Sequence, residues 1–139
     1  MRSIKELINI KNNVVLITGG GGKIAYAIAE AYAELGADLI LLDNNEKNLC
    51  KTKDMLTDKY LINCEILVID LENIEKQKQH ISKTLDKHKK LNILVNCAAL
   101  VGTSDLEGWS TDFLNQSMET WRRAIEVNLN SVFALSQIC

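Results

Sequence analysis

Val14-Val-Leu-Ile-Thr-Gly-Gly-Gly-Gly-Lys-Ile-Ala25, then a helix-periodic run to Gly36, then Leu39-Ile-Leu-Leu-Asp43: this stretch decides the fold. Val14 to Ile17 is an unbroken aliphatic run that stops at glycines, the pattern of a strand covered on both faces in a parallel sheet. Gly19 to Gly22 permit backbone conformations and close approaches that a Cβ forbids. The period then changes. Ile24, Ile28, Ala31, Tyr32 and Leu35 recur at steps of three and four, which predicts a helix with that stripe facing inward. Gly36 is placed to end it, and Leu39 to Leu42 reads as a second buried strand finishing on Asp43. Strand, glycine turn, helix and strand make a complete βαβ unit.

The chemistry follows from that unit. A helix N-terminus carries unpaired N–H groups and the positive end of the helix dipole, so it holds an anion, and glycines let the backbone reach a pyrophosphate. A carboxylate at the tip of the second strand can accept hydrogen bonds from ribose hydroxyls. Asp43 follows Gly19 by 24 positions, near the spacing of about 20 in a dinucleotide fingerprint. A strict G-x-G-x-x-G fails because residue 24 is Ile; Thr18-Gly19-x-x-Gly22-x-x-Ala25 fits instead. A P-loop would need Ser or Thr after Lys23 and a glycine at position 17, and the chain has Ile at both places.

Elsewhere the composition narrows the classes. A chain of 139 residues makes one domain, and 47% apolar residues with few aromatics suit aliphatic α/β packing. A net charge of −2 gives no reason to expect nucleic acid or an anionic membrane as partner. No apolar run has transmembrane length, and the charged start lacks a signal peptide's apolar segment. Cys50, Cys64, Cys97 and Cys139 are scattered, which predicts reduced thiols in a cytoplasmic protein and no metal site.

Taken in order, residues 1–12 form a lead-in with Ile4, Leu7 and Ile8 packing on the sheet. Residues 45–59 suit an exposed helix with Leu49, Met55 and Leu56 inward. Cys64–Ile69 is a third strand ending in Asp70, and a helix over 71–90 carries Ile74, Ile81 and Leu85 on one face. Leu91–Val95 is a fourth strand, a loop spans 100–116, and a last helix starts near Ser117. Right-handed crossovers place the strands in the order 3-2-1-4, a doubly wound Rossmann-type parallel sheet. Gly19, Asp43, Asp70 and Asn96 then share one rim at the strand ends. In the last helix Trp121, Ile125, Asn128, Val132, Leu135 and Cys139 trace one stripe, which predicts a buried Asn128. Such an amide either ties the helix to a neighbouring backbone or serves catalysis.

Thr18-Gly-Gly-Gly-Gly-Lys-Ile-Ala25, Asp43, Asp70-Leu71, Asn96-Cys-Ala-Ala99 and Val127-Asn128-Leu129 together resemble the short-chain dehydrogenase/reductase family, in order and over nearly the whole chain. The resemblance implies an NAD(P)-dependent oxidoreductase moving hydride between nicotinamide and an alcohol or carbonyl substrate, in a homo-oligomer when full-length. It implies that Gly19, Gly22 and Ile24 contact the cofactor phosphates and ribose, with Thr18, Gly21 and Lys23 completing that turn. Asp43 would read the adenosine 2′-hydroxyl, Asp70 and Leu71 would flank the adenine, and Asn96 and Ala98 would lie beside the nicotinamide ribose. Asn128 would be the catalytic-site Asn that shapes a helix kink and anchors a water. Asp43 with Asn44 and Asn45 after it favours NAD over NADP, and Lys23 is the contrary hint.

Several positions depart from the family pattern. Cys97 and Ala99 stand in the usual Asn-Asn-Ala-Gly, and Lys23 and Ala25 stand where many members have glycine. The family's catalytic Tyr-x-x-x-Lys is not found: Tyr26, Tyr32 and Tyr60 are followed four places on by Glu30, Gly36 and Cys64. Together with the absence of proline, this leads us to expect the N-terminal, cofactor-binding half of such an enzyme, truncated before its catalytic pair. The other reading is a dinucleotide-binding fragment or inactive remnant with no chemistry of its own.

Overall fold

Strand β1 (Val14–Thr18) is buried along its whole length, as its unbroken aliphatic sequence requires. In the computed structural model, which describes residues 8–88, 90–101 and 106–139, it pairs on both sides. Strand β2 (Asp38–Asp43) runs parallel to it with Val15 opposite Leu39, and β4 (Ile93–Val95) with Val15 opposite Ile93. Strand β3 (Cys64–Val68) pairs parallel with β2, giving the order β3-β2-β1-β4. This is the predicted doubly wound sheet, with β3 and β4 one or two residues shorter than their apolar runs.

Alternate strand residues feed two cores. Val15, Ile17, Leu39 and Leu41 pack beneath α1 (Lys23–Glu34) and α2 (Glu46–Lys59). Val14, Leu16, Ile40 and Leu42 pack on the other face with residues of α3 (Ile74–His88) and α5 (Ser131–Ile138). Each fully buried aliphatic side chain contributes about 1.5–3 kcal/mol.

The helix faces differ from expectation. The residues of α1 that meet the sheet are Ala25, Ala29 and Ala33; Ile24 is 73% exposed, Leu35 is exposed, and Ile28 and Tyr32 are only half-buried. Small side chains let the helix sit close on the strands, and the larger ones go to the flanks. The same correction applies to α2, where Thr52 joins Leu49 and Leu56 inside and Met55 points outward. Ile8 is also exposed, and the packing expected of Ile4 and Leu7 lies outside the described residues.

Gly36 closes α1 as predicted. At φ +80° it places its own N–H on the Ala33 carbonyl (2.9 Å) and the N–H of Ala37 on the Tyr32 carbonyl (3.1 Å), so the last carbonyls are satisfied. The last helix is interrupted: α4 (Met118–Ile125) passes through a π-helical turn, Glu126–Asn130, into α5. Its inward residues are Thr120, Ala124, Ser131, Ala134 and Leu135, one position before most of the predicted stripe, while Trp121 is 54% exposed. Asn128, expected to be buried, is exposed too. Again small residues take the sheet side.

Candidate functional site

At the carboxyl ends of the strands lies a cleft of about 170 Å³, lined by Gly19, Asp43, Asn44, Ile69, Asp70, Leu71, Glu72, Ala98, Ala99, Leu100, Arg123 and Val127. That is below the roughly 300 Å³ at which pockets hold a drug-sized ligand, so it has room for only part of one. Gly19 forms its floor at φ +69°, and a Cβ there would lie 2.9 Å from the Cα of Ala98. The glycine turn therefore runs against the segment after β4.

Asp43 holds that turn. One carboxylate oxygen accepts from the N–H of Gly21 and the other from the N–H of Asn45, both at 3.0 Å. The Gly20 N–H donates to the Leu42 carbonyl at 2.9 Å. Helix α1 begins at Lys23 with no side chain capping its first amides. Asn45 caps α2, and Ser117 caps α4. Uncapped amides above a turn of glycines fit an anionic group such as a pyrophosphate.

Not every predicted site residue lines the cleft. Gly19, Asp43, Asp70, Leu71 and Ala98 do. Gly21, Gly22 and Lys23 line a neighbouring hollow between α1 and α2, and Ile24 lies on the outer surface of α1. Thr18 lies beneath the site: it is 2% exposed, and its Oγ1 accepts from the N–H groups of Cys97 and Ala98, both at 3.0 Å. Asn96 is exposed at the end of β4 without lining the cleft. Asn128 ties its helix to the loop after β4, accepting from the Leu100 N–H (2.7 Å) and donating to the Leu100 carbonyl (3.1 Å). The π-turn carries it there, a helix irregularity of the kind that recurs at functional sites.

Sequence reading missed Arg123 and Glu72. Nε of Arg123 donates to both carboxylate oxygens of Glu72 (3.1 and 3.0 Å), and its terminal NH₂ donates to one of them (2.7 Å). Those bonds hold the guanidinium proton more firmly than usual, aided by the charge of Glu72. No local signal joins two residues 51 positions apart. Among the described residues no group of three His, Cys, Asp or Glu is placed to hold a metal, and no helix is long and apolar enough to cross a membrane.

A parallel sheet of this order with a glycine turn at its first crossover defines a nucleotide-fold α/β protein. The family described as short chain dehydrogenase matches residues 13–139. An uncharacterized oxidoreductase of Thermotoga maritima is 26% identical over 130 residues, covering 94% of this chain and 48% of the relative. The crystal structure of a short chain dehydrogenase from Mycobacterium smegmatis is 31% identical with a TM-score of 0.80, covering 94% of this chain and 52% of that one. NAD+-bound xylitol dehydrogenase shares the fold, with 23% identity and a TM-score of 0.81, covering 93% of this chain and 47% of that one. The chain belongs to the short-chain dehydrogenase family of oxidoreductases, whose members use NAD(P). It spans about half the length of the curated relatives it matches.

Proposed function

We propose that these 139 residues are the NAD(H)-binding half of an oxidoreductase acting on an alcohol or carbonyl compound. The observation that carries the reading is Asp43: a carboxylate at the tip of β2, on the cleft, tied to the glycine turn by the Gly21 N–H. Each of its oxygens keeps a lone pair for a ribose hydroxyl, and its charge repels a 2′-phosphate.

When bound, the nicotinamide supplies hydride exchange with the substrate carbon. This chain's own residues bind and orient. The uncapped amides at the start of α1 would take the pyrophosphate, with Lys23 adding positive charge from the side. Asp70 and Leu71 would receive the adenine, and Ala98 and Asn96 the nicotinamide-side ribose. Asn128 would fix the loop that carries Leu100 and so keep the substrate side of the cleft in place. No Tyr-x-x-x-Lys occurs here, so the proton for the substrate oxygen would come from a group outside these residues.

Calorimetric titration with NADH and NADPH tests the reading. NADH binds more tightly, and Asp43→Ala narrows the difference; tighter NADPH binding overturns the NAD assignment. The 139 residues alone bind without turning over an alcohol or ketone, and steady turnover would refute the proposed division of labour.

A further inference from the structure

One helical segment braces two walls of the cleft. Arg123 of α4 grips Glu72 in the β3–α3 connection, and Asn128 of the following π-turn grips Leu100 in the connection after β4. The gripped wall is itself a tight turn: the Asp70 carboxylate accepts from the Glu72 N–H at 3.0 Å, and the Asp70 carbonyl from the Asn73 N–H at 3.1 Å. Leu71 roots this turn in the core beside Leu16 and Leu42. From outside the turn its rim is held by Arg123, whose side chain is 40% exposed against 29% for Glu72. The space between the walls is narrow, with apolar Leu71 and Ala99 and the acceptor carboxylates of Asp70 and Glu72. A flat aromatic base bearing an exocyclic amine matches it.

We propose that Arg123 is a positioning residue that sets the aperture of the base end of the cleft by holding Glu72, and so decides how large a purine ring system enters. The inference rests on the dinucleotide reading above. Freed from Arg123, the Glu72 carboxylate loses its ion-pair partner and shares a tight turn with Asp70, and the two repel. The turn then swings at its rim while Leu71 stays rooted, so the gap widens and an adenine is gripped less well.

The test uses the full chain with NAD+ and with its wider analogue, nicotinamide 1,N6-ethenoadenine dinucleotide, each titrated by calorimetry. In the parent, NAD+ binds more tightly than the analogue. Arg123→Gln weakens NAD+ about fivefold, the scale of a partly exposed ion pair. It weakens the analogue less, so the ratio of the two affinities narrows. Glu72→Gln loses the ion pair but leaves no second carboxylate to repel Asp70, so it narrows the ratio by less, and the swapped pair R123E/E72R restores the ratio. A merely structural ion pair lowers both affinities equally. An unchanged ratio in both single variants, with NAD+ still bound by the parent, overturns the inference and leaves the dinucleotide reading standing. A parent that binds neither ligand overturns both.

Discussion

Thr18→Val is the sharpest probe of how the site is supported. The substitution keeps the β-branched shape that suits β1 but removes the one oxygen on which the N–H groups of Cys97 and Ala98 both converge. Thr18 is 2% exposed, so water reaches its position poorly. Each orphaned donor costs about 1–3 kcal/mol, and because these two are only part-buried the low end applies, about 2 kcal/mol in all. For 139 residues that lowers Tm by about 6–10 °C. Thr18→Ser is the control: it keeps the oxygen and forfeits one methyl, about 1 kcal/mol. Thermal and urea melts of the three proteins decide the matter. If Thr18→Val melts within about 0.5 kcal/mol of the parent, or Thr18→Ser is as damaging as Val, the account of Thr18 as the tie between β1 and the β4 connection is wrong.

Three further outcomes are expected. Asn128→Ala frees the loop at Leu100, and hydrogen exchange of the Leu100 amide speeds up about tenfold while the β1 and β2 amides keep their protection. Burial raises the Glu65 carboxyl, but hydrogen bonds from Lys87 and His88 outweigh it and hold it below the ordinary 4.5. Its stabilisation is therefore complete above pH 4.5 and lost as pH falls through the lower folded-state value, so the Tm gap between the parent and Glu65→Gln shrinks below pH 4.5; a constant gap refutes this. Burial pushes the Cys64 thiol up to about 11, so in the native protein a thiol reagent at about pH 8 labels exposed Cys50 well before Cys64.

Strands and their order were legible because a run such as Val14-Val-Leu-Ile, buried on both faces, admits few other structures. Gly36 was legible because its left-handed conformation has a steric cause. Helix orientation was not. Ile24, Leu35, Met55 and Trp121 are the residues a hydrophobic pattern picks out, yet Ala25, Ala29, Thr52 and Ala124 face the sheet, because close contact with strands selects small side chains. Of the four strand-end residues expected on the rim, Gly19, Asp43 and Asp70 line the cleft and Asn96, exposed at the end of β4, does not. The π-turn that points Asn128 at Leu100 leaves no periodic trace, and the Arg123–Glu72 pair joins elements that only the fold brings together.

The alanines under α1 carry a consequence for where affinity can be lost. They act as thin shims between a stiff rod and the plate it rests on, and the glycine turn is mounted on the end of that rod. Ala29 lies seven residues past Gly22, about 10 Å along the axis, and does not line the cleft. A thicker shim there, a valine or a leucine, would tilt the rod and shift its tip against Ala98 and Asp43. The damage would register as a binding defect with every cleft residue still in place.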